Sequence, residues 1–169
     1  IAEHNDGTIS FAIKTDTVAV NSNINLADNK VFGESFDLCV GTGGNDGRFN
    51  YSVAIAELLP DNVGWAADYG YGGDKCARFG STDYTNMGDA TTPSFTLTGD
   101  TCTLTFRAAG WNTLQEGTEL QLALNSTGVG SAKFVDSGNS EVTLGMTKGV
   151  WKDFSLKLVG EGQTKLTFK

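Results

Sequence analysis

The chain has 169 residues, of which 39% are hydrophobic and 19% are charged, a composition that is typical of a folded domain and excludes a disordered chain. Its formal net charge is −8, from 12 Lys and Arg against 20 Asp and Glu, so it lacks the basic stripe that nucleic-acid binding needs, and anionic membranes are disfavoured. No apolar run approaches the roughly 18–20 residues that span a bilayer, and we expect no membrane insertion.

Apolar and polar residues alternate with a period of two along most of the chain, a pattern that predicts β-strands rather than helices. In the N-terminal region, Ile9, Phe11 and Ile13 lie on one face of such a strand. A polar stretch at 21–30 follows. We therefore expect residues 1–30 to form an extra hairpin on the fold or the tail of a preceding domain.

Most of the predicted strands lie in residues 31–169, where turns rich in Gly, Asn and Asp separate them. Alternating apolar residues mark them at 32–36, 76–79, 95–97, 102–106, 120–124, 134–135, 142–144, 154–158 and 166–168. The stretch 51–59 is ambiguous between a strand and a short helix that Pro60 ends. Short strands with frequent turns and no βαβ pattern predict an all-β, antiparallel β-sandwich.

Eight sequence landmarks follow one another in a characteristic order. They are ESFD at 34–37, GTGGNDG at 41–47, DNVGW at 61–65, YGGDKCARFG at 71–80, TTP at 91–93, LTFRAAGW at 104–111, LGMTKGVWKDF at 144–154 and TKLTF at 164–168. Together they make residues 31–169 resemble the galactose-binding-like jelly-roll modules of secreted and surface proteins of Bacteroides-type bacteria. More distantly, the chain is similar to the cleaved-adhesin modules.

The resemblance implies a jelly-roll β-sandwich module at 31–169 that is secreted or on the cell surface and is attached to other domains. It also implies a non-catalytic function, carbohydrate binding or adhesion to a surface ligand, often with a structural Ca²⁺ ion. Fold-level likeness does not fix a ligand. The alternative is a structural spacer or protein-interaction module of a larger surface protein.

Glu34 is the first candidate for a metal ligand, because alternation places its carboxylate on the apolar face of its strand. A buried carboxylate needs a cation, hydrogen-bond donors or a proton. Oxygen ligands suit Ca²⁺, and four nearby residues offer them: Asp37, Asn45, Asp46 and Asp74. The alternative is a Glu on an edge strand that meets solvent or an Arg, with the Asp residues forming turns.

Aromatic residues in loops are candidates for sugar binding, because the apolar face of a pyranose stacks on a flat ring. Trp65, Tyr69 and Tyr71 lie in or beside a Gly-rich segment, and Trp111 follows a strand. Arg78 is the candidate for holding a ligand hydroxyl or carboxylate. The alternatives are that both Trp side chains fill the core and that the Arg pairs with a neighbouring acid.

Trp151 is out of phase with the apolar residues of the strand at 154–158, so its ring faces away from the core or lies at a bulge. Among the three cysteines, Cys102 shares a face with apolar neighbours and is predicted to be buried. Cys39 and Cys76 either form a disulfide in an oxidising compartment or remain free.

His4 is the only histidine, and it lies in the polar N-terminal segment. Triads of the Ser-His-Asp or Cys-His type would have to take their base from that segment, and a zinc protease lacks its ligands. The Gly-rich loop at 41–47 lacks the Gly-Lys-Ser/Thr ending of a phosphate-binding loop. We therefore expect a protein that is not an enzyme.

Overall fold

The computed structural model describes residues 11–15, 30–50, 54, 56–80, 87–111 and 118–169, and of these 11–15, 30 and 128–129 by their backbone alone. The described residues form strands and turns, with no helix among them. The prediction of an all-β chain is confirmed. Four residues of the ambiguous stretch 51–59 lie outside the described residues, namely 51–53 and 55. Residues 1–10, which include His4 and Ile9, also lie outside them.

Eleven strands are described, most of them short. Their bounds are β1 Phe11–Thr15, β2 Lys30–Glu34, β3 Ala66–Ala67, β4 Gly70–Gly72, β5 Ala77–Phe79, β6 Ala90–Thr91, β7 Phe95–Thr98, β8 Cys102–Ala108, β9 Glu119–Phe134, β10 Glu141–Gly145 and β11 Lys152–Phe168. All the strand pairs among them are antiparallel, as the sequence predicts for a β-sandwich.

The last strand, β11, organises the larger sheet, whose main path is β10-β9-β11-β8-β1-β2. On one edge it pairs in turn with β8, β7 and β6, and on the other it pairs with β9. The pairing with β9 shifts register between Val159 and Gln163, a part of β11 that contains Gly160 and Gly162. Glycines in a strand allow bulges, so one continuous strand bends here instead of ending.

Alternate residues of the central strands form the core. In β8 the buried residues are Cys102, Leu104, Phe106 and Ala108. The ring of Phe106 stacks on Phe154 of β11, with 5.0 Å between centroids, and meets Phe168 edge-on at 5.5 Å. Burial on one face of each strand is the arrangement that a β-sandwich requires, and the described structure is consistent with one.

The segment 1–30 contributes β1 to the larger sheet. This strand lies between β8 and β2 and pairs with both: Ile13 is opposite Phe32 on one side and Leu104 on the other. The described part of the N-terminal segment is thus hydrogen-bonded to the strands of 31–169.

The strands β4 and β5 form a separate two-stranded sheet beside the Gly-rich loop, residues 41–47. Isolated β-bridges connect this small sheet to the Gly-rich loop, since Asp74, between β4 and β5, pairs with both Val40 and Gly44. The backbone N–H of Asp74 also donates to the Gly43 carbonyl at 2.9 Å. Among the described residues no helix is long and apolar enough to cross a membrane.

Candidate functional site

A cleft of about 160 Å³ lies where the Gly-rich loop, strand β5 and the segments next to β8, β9 and β11 meet. Aromatic, cationic and small residues line it. A cavity of roughly 150 Å³ is large enough to hold benzene, so this space fits about one six-membered ring. We refer to it as the aromatic cleft.

Three aromatic rings form one wall of this cleft. Phe49, only 7% exposed, lies between Trp111 and Trp151, with its ring centroid 5.7 Å from each. Both contacts are edge-to-face, which is a favoured geometry for aromatic pairs. Trp111 follows the end of β8, and Trp151 precedes the start of β11. Their side chains therefore need not point to the face that strand alternation would predict.

Two guanidinium groups cover the two indole rings. The Arg78 Cζ atom lies 4.4 Å from the centroid of Trp111, and the Arg107 Cζ atom lies 5.2 Å from that of Trp151. Both distances are within the range of cation–π attraction. Arg107 also has an ion pair with Asp153, 3.4 Å between Nε and Oδ1, but that carboxylate is 87% exposed and the pair contributes little.

The two indole N–H groups differ in their hydrogen bonds. The Trp151 Nε1 donates to the carbonyl of Gly44 at 3.3 Å and so joins the Gly-rich loop to the start of β11. The Trp111 Nε1 is buried and has no acceptor among the described residues. An unsatisfied buried donor costs about 1–3 kcal/mol, and a ligand atom that accepts from it recovers part of this cost.

The structure brings together two of the five residues predicted to bind a ligand, Arg78 and Trp111, in direct contact. Trp65 also borders the aromatic cleft, but its indole N–H donates to Glu34 at 2.9 Å and its ring packs 5.1 Å from that of Phe36. Its contacts are therefore largely those of a core residue, as one of the two sequence interpretations stated.

The two tyrosines lie elsewhere. Tyr71 shares a second, shallow concavity with Trp65 and Pro60. Tyr69 is 46% exposed, borders neither concavity and adopts a positive φ of 52° in the turn before β4. The structure therefore does not place the Tyr69 ring in the aromatic cleft with Trp111.

Sequence reasoning missed Phe49 and Arg107, and it singled out Trp151 only for its phase. Arg107 had a usable signal, because it alternates with the buried residues of β8 and so points to the other face. Phe49 had none: it follows the Gly-rich loop as a single apolar residue, and only the folded chain shows that it separates two indoles.

Glu34 is buried, 2% exposed, as the alternation predicted. Its Oε1 accepts from the backbone N–H of Phe36 at 3.2 Å and of Asp61 at 2.7 Å. Its Oε2 accepts from the backbone N–H and the side-chain amide of Asn62, at 3.1 and 3.0 Å, and from Trp65. Hydrogen-bond donors thus satisfy both oxygens and fix the turn at 61–64 against β2.

Two of the predicted calcium ligands in the Gly-rich loop, Asn45 and Asp46, have hydrogen-bond partners within the protein. Desolvation raises the pKa of the Asp46 carboxyl, but hydrogen bonds from Gly43 and Arg48 and the charge of that Arg outweigh it, so this pKa lies below its usual range. Asn45 donates its amide to the backbone carbonyls of Asp74 and Lys75.

Within the described ranges no group of three or more His, Cys, Asp and Glu side chains is arranged to hold a metal ion. Asp37 is exposed on the turn after Phe36, and its backbone N–H donates to Ser35. The N–H groups around Glu34 direct the positive ends of their dipoles at its carboxylate, which is where a cation would have to lie. Glu34 is thus held by donors, whereas the Oδ1 of Asn45 is buried without a hydrogen-bond partner among the described residues, and the calcium site stays a prediction.

Comparison with protein-family models, with curated proteins and with solved structures finds no match to this chain. The aromatic cleft is therefore interpreted from its own residues.

All three cysteines are buried and free. The Cys39 thiol is 3.6 Å from the Leu59 carbonyl, and the Cys76 thiol is 3.6 Å from that of Gly43. Burial raises the pKa of both, that of Cys76 to about 12. The thiolate is the reactive form, so neither thiol is activated at neutral pH.

We expect Cys76 to resist alkylation by iodoacetamide in the native protein at pH 8, because its pKa of about 12 keeps it protonated there. All three cysteines should react in about 8 M urea, a concentration that unfolds most domains. Mass spectrometry of the labelled protein counts the modified sites. Fast native labelling of Cys76 would contradict the buried thiol, and labelling of Cys102 alone in urea would reveal a Cys39–Cys76 disulfide.

Proposed function

We propose that this chain is a non-catalytic, extracellular carbohydrate-binding module of jelly-roll type, secreted or on the cell surface and attached to other domains. The sugar binds in the aromatic cleft. The observation that carries the proposal is the buried Trp111 indole N–H, which has no acceptor among the described residues and belongs to a ring in the wall of that cleft.

The cleft combines the two features that sugar recognition needs. Its rings and its methionine and alanine side chains supply apolar surface for the C–H face of a pyranose, and its space fits about one such ring. Its guanidinium groups, indole N–H and the Glu119 carboxylate supply donors and an acceptor for hydroxyl groups. Such a mixture of apolar walls and few polar groups is typical of small-molecule sites.

The test is isothermal titration calorimetry of the wild-type protein against a panel of plant and mucin polysaccharides. Trp111→Phe keeps an aromatic ring beside Phe49 and removes the N–H donor. We expect Kd to rise about three- to tenfold, the loss that one hydrogen bond brings. Tyr69→Ala is the matched control: this ring is exposed but borders neither concavity, so its removal should leave Kd unchanged.

The outcomes distinguish a sugar site in the cleft from a site elsewhere and from a function without sugar binding. Binding that Trp111→Phe weakens and Tyr69→Ala does not supports the cleft as the sugar site. Binding that only Tyr69→Ala weakens places the site on the turn before β4 and overturns this proposal. An absence of binding across the panel, with the protein folded by circular dichroism, favours a structural spacer or protein-interaction module.

A further inference from the structure

The charges around the aromatic cleft differ from those of the chain as a whole. The chain has 20 acidic against 12 basic residues, whereas the described residues that line the cleft include three cations, Arg78, Arg107 and Lys169, and one acid, Glu119. We infer that the cleft selects acidic saccharides, with the ligand carboxylate held by Arg78 beside Trp111. This inference rests on the carbohydrate-binding function proposed above.

The hydrogen-bonding groups of the lining point to the same ligand chemistry. Arg, Lys and the indole N–H are donors only, whereas Glu119 is the acceptor among these side chains. A carboxylate accepts only, and it does so at two oxygens. A sugar hydroxyl satisfies a donor too, but it also brings a proton that needs an acceptor of its own. Among the polar side chains of the lining, donors thus outnumber acceptors, which favours a uronate over a neutral sugar.

The Trp111 indole helps to position the Arg78 guanidinium. The Arg78 Cζ atom lies over the indole ring, 4.4 Å from its centroid, which is within the range of cation–π attraction. The planar fork of an Arg matches the two oxygens of a carboxylate. The Trp111 N–H, buried in the same wall, is a further donor for the same ligand.

Two acids, Asp153 and Glu119, lie near the cations of the cleft. Asp153 pairs with Arg107, but it is 87% exposed on the outer side of β11, where solvent screens it. Glu119 is the first residue of β9 and can accept from a sugar hydroxyl. The arrangement therefore provides cationic groups for a carboxylate and one acceptor for a neighbouring hydroxyl.

The experiment compares ligands that differ only in charge. Calorimetry is run with uronic-acid polysaccharides, pectate and hyaluronate, and with the fully methyl-esterified form of each, together with neutral galactan. We expect the acid form of at least one pair to bind ten times more tightly than its ester, and the difference to shrink as salt rises. Esters or galactan that bind as tightly overturn the inference and leave the proposed function standing. Failure of every saccharide to bind overturns both.

Variants then test the assigned residue through the ratio of the two affinities, which does not depend on the folded fraction of a sample. Arg78→Gln should reduce the preference for acid over ester at least tenfold, and Arg78→Lys, which keeps the charge but not the planar fork, should restore part of it. Lys133→Gln is the matched control, since it removes one exposed positive charge on β9 outside the cleft. An acid preference that Arg78→Gln leaves unchanged would overturn the assignment of this residue.

Discussion

Replacing Glu34 by glutamine is expected to lower the free energy of unfolding by about 3 kcal/mol or more. Five hydrogen bonds converge on this carboxylate, two at Oε1 and three at Oε2. A glutamine has one oxygen and one NH₂ group, and the NH₂ cannot accept. Whichever way the amide turns, at least two buried donors lose their acceptor, and each orphaned donor costs about 1–3 kcal/mol.

Urea unfolding followed by tryptophan fluorescence measures this loss, with Glu141→Gln as the control. Glu141 is exposed at the start of β10, where its side chain accepts one bond from Gln121, so this change should stay within about 0.5 kcal/mol. The same curves are recorded with EDTA and with Ca²⁺. A Glu34→Gln protein as stable as wild type, or a wild-type midpoint that EDTA lowers, would show that the N–H cage is not what holds this carboxylate.

Glu34 also shows how far the sequence leads. Alternation alone predicted its burial, which the structure confirms at 2% exposure. Alternation does not specify the partner of a buried charge, because four of the five hydrogen bonds come from Asp61, Asn62 and Trp65, 27 to 31 positions later. The sequence marks 61–64 as a turn, but only the folded chain shows that its amides face the strand.

The same separation of local and long-range information holds for the fold. The period of two predicted the longer strands but missed the short strands β3, β4 and β6. It also divided β9 into strands at 120–124 and 134–135, and β11 into strands at 154–158 and 166–168, where Gly160 and Gly162 resemble a turn in sequence. In the structure a Cβ at position 160 would lie 2.7 Å from the Cα of Ala132. Glycine there permits close approach of β9 to β11 and does not end the strand.

The aromatic cleft was predictable only in parts. Arg78 and Trp111 were predicted as ligand residues separately, from a strand position and from a loop position. Their contact, and the position of Phe49 between two indoles, depends on β5, the Gly-rich loop and the ends of β8 and β11 meeting in space. Pairings between distant parts of a chain leave no local pattern, so a single sequence does not reveal them.

Replacing Gly41 by alanine is expected to destabilise the fold by about 3 kcal/mol or more, and the protein to be recovered mainly in insoluble form. A Cβ at this position would overlap with the carbonyl oxygen of Gly72 and lie 2.9 Å from its carbon and 3.2 Å from the Ala54 carbonyl oxygen. These neighbours are backbone atoms, which cannot rotate away as a side chain does. Relief requires the segments to separate, which strains the paired hydrogen bonds between Ala56 and Gly72.

Gly145→Ala is the matched control, because a Cβ there has no neighbour within 4 Å and the backbone is that of an ordinary strand in β10. Its unfolding free energy in urea should lie within about 0.5 kcal/mol of wild type. Under the proposed function, a Gly41→Ala protein that folds should bind saccharide more weakly than the same concentration of folded wild-type protein, because the carbonyl of Gly44 in this loop accepts the Trp151 N–H. Equal stability of the two variants would mean that residues 41 and 72 are not in close contact.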